Sequence, residues 1–148
     1  MTKEEMLSAM ASLQGTHIAQ MEKIKSAIAG KDIQNPTALG KLECECGIWF
    51  HKHEEQIKNI LSLQLFERLD KNHEQWHVDY ENIYNLFFKE EKKKGFFSKI
   101  INVSKSDMMK LDKAKLYFSE LEKDTQELLN TSEIALRRVS ALSEKKFS

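Results

Sequence analysis

Ten positions near the end of the chain, Leu111, Ala114, Phe118, Leu121, Thr125, Leu128, Ser132, Ala135, Val139 and Leu142, succeed one another in alternating steps of three and four. A strand buries every second residue, so a run of this period can only be a helix with one buried seam. Thr125, Ser132 and the two alanines make that seam shallow. A helix with so little apolar width is not stable alone and needs other helices against it. The rest of the chain can supply them. It holds one proline in 148 residues and is rich in Lys, Glu, Leu, Met and Ala, the residues that cost least in a helix. The expected fold is all-α: a helical bundle of the four-helix-bundle type, up-down, whose long C-terminal helix runs from about 106 to about 145 behind Ser106 or Asp107 as cap.

The first helix is expected from about Thr2 to Ala29. Thr2 and Glu5 have capping-box spacing, and Gly30 suits the position just past the end. Met6, Met10, Leu13, Ile24 and Ile28 mark its buried stripe, with Met21 between them. The next step of four after Leu13 lands on His17, a histidine where an apolar residue belongs. Gly15, close by, either admits a neighbour or weakens the helix. Residues 31–37 read as a connection, with Asn35 as a cap and Pro36 at the first position of the next segment. One or two short helices to about His53 should carry Leu39, Leu42, Cys46, Trp49 and Phe50. A long helix from about Leu63 to Lys92 then buries Phe66, Leu69, His73, Trp76, His77, Tyr80, Ile83 or Tyr84, and Phe87. Two more histidines thus occupy buried positions, stacked one turn apart. The run from Glu90 to Lys94, with Gly95 after it, reads as a solvated helix end. Phe96, Phe97, Ile100, Ile101 and Val103 form a small apolar patch beyond it.

The length suits one domain, 1–148. Lys+Arg and Asp+Glu each number 23, and a net charge of zero argues against a protein built to coat nucleic acid or an anionic membrane surface. No apolar run is long enough to span a membrane, and the first residues carry no signal-peptide core. A soluble, cytoplasmic, bacterial-style protein is expected. Cys44 and Cys46 are too close in sequence to form a disulfide framework.

Chemistry is concentrated in five histidines and two cysteines. Neutral imidazole and thiolate are the usual zinc donors, and four of them close a tetrahedral site. His17, His73 and His77 lie on buried faces, with two cysteines between them in sequence. His73-Glu74-Gln75-Trp76-His77 also satisfies H-E-x-x-H, the pattern of zinc proteases. No histidine or cysteine lies beyond it to act as third ligand, and no sheet edge is expected to hold a peptide, so the protease reading is set aside. A di-iron bundle would need two E-x-x-H pairs, and only Glu74 and His77 form one. His51 and His53 are expected to face solvent, and Trp76 and Tyr80 to serve packing.

These residues together resemble the chemoreceptor zinc-binding (CZB) domain family. His17-Ile18-Ala19-Gln20, Cys44-Glu45-Cys46-Gly47-Ile48-Trp49 and His73-Glu74-Gln75-Trp76-His77 match its three elements, separated by two spacers of 23 residues. The resemblance covers about residues 10–90. It implies Zn2+ held by His17, Cys44, His73 and His77, in a helical bundle that is a homodimer in the family. By motif register Cys44 is the ligand and Cys46, where the family carries Leu or Phe, is a small buried hydrophobe. Spacing alone leaves Cys46 as a rival ligand. Gln20 also departs from the pattern, which has a large apolar residue there. Gly47 is expected to permit close helix approach and Trp49 to pack behind the site.

Relatives sit on chemoreceptors and diguanylate cyclases. A chain of this length is expected to act on such a partner in trans, as a sensor of zinc or thiol oxidants in chemotaxis or cyclic-di-GMP signalling, and not as an enzyme. A purely structural zinc staple in an adaptor bundle is the alternative, with a metalloenzyme behind it.

Overall fold

The computed structural model describes residues 1–31, 40–86 and 105–147, with side chains from 108 onward in the last stretch. Among these residues it is helical, with no strand: α1 (Lys3–Ile28), α2 (Glu45–Lys52), α3 (Glu54–Leu61), α4 (Leu63–Tyr84) and α5 (Lys105–Ala141). The all-α bundle with a long C-terminal helix is what the periodicity requires.

Local rules set the ends of α1. The Thr2 hydroxyl accepts from the Glu5 amide while Glu5 accepts from the Thr2 amide, a complete capping box. At the other end Gly30 takes φ 75°. Its amide donates to Ala27 and the Lys31 amide to Ser26, at 2.9 and 3.0 Å, which is the Schellman arrangement.

Hydrogen bonds between helices give their directions. On α1, Lys3 donates to the Ser140 and Leu142 carbonyls and Gln14 to the Ser132 hydroxyl. On α4, Asn72 donates to Thr131 and Trp76 to Thr125. Numbers rise on one side as they fall on the other, so α1 and α4 both run antiparallel to α5 and parallel to each other. The short α2 and α3 return the chain between them, giving the up-down order. Arg138 Nε donates to the Ile60 carbonyl at 2.9 Å and ties the end of α3 to α5.

The seam of α5 behaves as its composition demands. Ala114, Leu121, Leu128, Ala135 and Val139 are buried. Thr125, Thr131 and Ser132 are buried too, and each hydroxyl bonds a side chain from α1 or α4. Burying a hydroxyl is tolerable only on those terms. Met6, Met10, Leu13, Ile24, Leu69, Trp76, Tyr80 and Ile83 fill the space opposite. Each large apolar side chain so buried contributes about 1.5–3 kcal/mol.

Several expectations need correction. Leu42 is 59% exposed and Leu111 is at 36%; the first lies in a turn before α2, and the second comes before the seam closes on its neighbours. On α1, Ala27 is fully buried while Ile28 is only partly covered. Helix α3 was not expected, although Ile57, Ile60 and Leu61 are core residues, because eight residues are too short for a clear period. The last helix stops at Ala141, and residues 144–146 form a separate single turn. His53 is half-buried with its ring 4.9 Å from that of Trp49 and tilted 42° to it, whereas His51 is exposed as expected. Ser62 joins α3 to α4 at φ 74° and ψ 150°, a backbone region otherwise almost confined to glycine. The expected features at Asn35, Pro36, Leu39 and Phe87, the run 90–95, the patch 96–103 and the side chains of Ser106 and Asp107 lie outside the described residues.

Candidate metal centre

His17 reaches the bundle interior because its position continues the stripe of Met6, Met10 and Leu13. Its Nδ1 lies 2.7 Å from the Leu13 carbonyl one turn back. A carbonyl only accepts, so Nδ1 carries the proton and Nε2 of the neutral ring presents a lone pair. That Nε2 is buried and has no hydrogen-bond partner, although it stands among other rings. An orphaned donor atom in a dry interior is costly, and a bound cation would satisfy it.

His73 and His77 come from successive turns of α4, with their Nε2 atoms 3.1 Å apart. Their ring centroids lie 4.8 and 5.4 Å from that of His17. Burial lowers the His73 pKa to about 4, so the ring is neutral and able to coordinate at neutral pH. Cys44 completes the group from the residue just before α2. One ligand atom from each of His17, Cys44, His73 and His77 lies within 4.8 Å of the other three, and all four residues are buried. Zn–N bonds of about 2.0–2.1 Å and a Zn–S bond of about 2.3 Å would set such atoms about 3.3–3.7 Å apart. The four atoms must draw together to reach those spacings, and the donor combination is one that zinc prefers.

The thiol of Cys44 is held far below the usual range, first by the Cys46 thiol beside it and then by the nearness of the three histidine rings, against the effect of burial. Cys46 is pushed the other way by the same contact, by its own burial and by the charge on Cys44. Cys46 is buried but is not among the four converging groups.

Gly47 is fixed by sterics. A Cβ there would come 1.7 Å from the Lys41 carbonyl oxygen and 3.4 Å from the His73 ring. The close neighbour is the turn carrying Lys41, where a helix was expected. Trp49 packs against the core cluster that includes Cys44 and Cys46, and its ring contacts are Phe50 and His53. The indole that meets the histidine rings is that of Trp76, which lies 4.4 Å from His17 and 5.0 Å from His77. The packing role expected of Trp76 holds, but its contact with the site had no signal beyond its place in the stripe.

Glu74, the glutamate of the H-E-x-x-H pattern, lies outside the cluster. It lines a cleft of about 570 Å³ with Gly40, Lys41, Glu43, Gly47 and Asp70. There Lys41 Nζ pairs with Asp70 at 3.0 Å and with Glu74 at 3.6 Å.

Residues 17–84 match the family model of the chemoreceptor zinc-binding domain. The match covers a little under half of the chain and begins at His17, so it spans all four converging residues. No curated protein and no solved structure matches the chain.

Proposed function

We propose that this chain, through its chemoreceptor zinc-binding domain, binds Zn2+ at His17, Cys44, His73 and His77 and serves as a sensory or regulatory module. The observation that carries the reading is the buried convergence of one thiol and three imidazoles, with the His17 Nε2 lone pair otherwise unsatisfied. The metal would crosslink α1, the start of α2 and α4, so its binding energy would count towards their packing. Four protein ligands leave no open position for a substrate, which favours a binding role over catalysis.

The whole chain acts as one unit in this reading, because α5 lies on both ligand-bearing helices. A separate partner of chemoreceptor or diguanylate-cyclase type takes the output, the working form is a homodimer, and the site of action is the cytoplasm. These three points rest on the family resemblance. No helix among the described residues is long and apolar enough to cross a membrane.

A structural staple is the second reading, and the burial of all four ligands favours it, since enclosed sites exchange slowly. Metal analysis of purified protein decides whether zinc is held: one zinc per chain is expected, and none in Cys44→Ala combined with His73→Ala. Zinc absent from wild type, or unchanged in the variant, would overturn the reading. Exchange with a micromolar chelator within minutes supports sensing; inert zinc supports the staple.

A further inference from the structure

The four donors of the metal centre are not equally constrained. His73 and His77 are set by α4 itself, and His17 by the packing of α1. Cys44 is the residue just before α2, with an extended backbone at φ −74° and ψ 134°. Its position depends on the turn 40–44 that leads into it.

That turn is bonded within itself. The Gly40 carbonyl accepts from the Glu43 and Cys44 amides at 3.0 and 3.2 Å, and the Gly40 amide donates to the Glu43 carboxylate at 2.9 Å. None of these bonds reaches α4. Lys41 does: its Nζ donates to both carboxylate oxygens of Asp70, each at 3.0 Å, and stands 3.6 Å from Glu74. Asp70 lies three residues before His73 and Glu74 directly after it. The lysine thus ties the Cys44 turn to the helix that supplies two of the imidazoles. Its side chain is 21% exposed and that of Asp70 37%, so water and salt screen this pair less than one in the open.

We infer that Lys41 and Asp70 are positioning residues for the metal: their ion pair holds the Cys44 turn against α4 before zinc arrives. The inference rests on the zinc reading of the site and adds a control of its affinity that lies outside the ligands. Ordering a loose donor costs free energy on binding, and a donor already in place avoids that cost. The charges give the effect a distinctive sign. Lys41 is a cation beside the stretch of α4 that carries His73. By Coulomb's law alone, removing it and leaving Asp70 and Glu74 unpaired would strengthen the binding of a dication. Loss of positioning weakens it instead.

Three variants of the full chain test it against wild type: Lys41→Met, Lys41→Arg and, as a control, Lys58→Met. Lys58 makes a comparable half-buried bridge to Glu54 on α3, and neither residue belongs to the four converging groups. Zinc affinity is measured by competition with a chromophoric chelator. Hydrogen exchange of the Glu43 and Cys44 amides is followed in the metal-free chain. Lys41→Met is expected to bind zinc about five- to tenfold more weakly, and its two amides to exchange faster. Its cobalt-substituted form should keep the thiolate charge-transfer band at saturation, because the donor set is unchanged. Lys41→Arg can still hold Asp70 with two parallel bonds and is expected to match wild type in affinity and exchange. Lys58→Met is expected to leave both unchanged. Equal or tighter zinc binding in Lys41→Met, unchanged exchange of the two amides, a lost cobalt band, a defect that Lys41→Arg does not restore, or an equal defect in Lys58→Met would each overturn the inference. If wild type takes up no zinc, the metal reading fails, while amide exchange still decides whether the bridge holds the turn.

Discussion

The Lys41 carbonyl oxygen occupies the space where a side chain on Gly47 would begin, 1.7 Å from the position of its Cβ. The turn 40–44 lies against the first turn of α2 with no room between them, and Cys44 is its last residue. Gly47→Ala is therefore expected to push the turn away and carry Cys44 with it. Overpacking of this kind costs about 1–3 kcal/mol. The variant should lose most of its zinc affinity while circular dichroism still reports the bundle. Unchanged affinity would separate the turn from the site.

Trp76 links the site to the last helix. Its ring covers His17 and His77, and its Nε1 donates to Thr125 Oγ1 on α5 at 2.8 Å. Trp76→Phe keeps an aromatic face towards the histidines and removes the hydrogen bond. Thr125 retains its bond to the Leu121 carbonyl, so the loss should be moderate, about 1 kcal/mol in urea denaturation. Zinc should then protect α5 amides from hydrogen exchange less than in wild type. Equal protection in both proteins would mean that this contact does not transmit occupancy.

Gly15 has open space around it, with nothing within 4 Å of a Cβ. It is a weak spot in α1 and not a point of close approach. Gly15→Ala should stabilise the protein by about 0.5–1 kcal/mol and leave zinc content as it was. A destabilised variant would show that the position is in contact with something.

Asp124 on α5 faces Asp79 on α4, and its pKa is raised to about 7 by burial first, then by the hydrogen bond to Asp79 and by the charges of Asp79 and Glu127, against Lys123. A carboxyl raised on folding is harmless while both folded and unfolded forms are protonated. Its contribution is lost as pH climbs from the unfolded value of 3.8 through about 7. Asp124→Asn should therefore gain stability relative to wild type at pH 8 and little at pH 4. Much of the carboxyl is still in water, which screens the effect. Denaturation midpoints at both pH values check the sign; equal shifts at both would contradict it.

The sequence was most legible where the helical period was long. Steps of three and four placed the seam from Ala114 to Val139 and put His17, His73 and His77 on buried faces. The capping of α1 was equally plain, because Thr2, Glu5 and Gly30 act locally. What could not be read depended on contacts between distant segments. Nothing at Lys41 signals that its carbonyl meets Gly47, and nothing at Trp49 or Trp76 says which indole lies against His17. Periodicity could not separate Cys44 from Cys46 either. That choice came from motif register; among the described residues the Cys44 sulfur is the one grouped with the three imidazoles.

Zinc K-edge X-ray absorption on the purified protein tests the central claim most directly. Three nitrogen ligands at about 2.0–2.1 Å and one sulfur at about 2.3 Å are expected, with the sulfur retained in Cys46→Ala and absent in Cys44→Ala. Two sulfurs per zinc, a sulfur that survives Cys44→Ala, or no bound zinc would contradict the account.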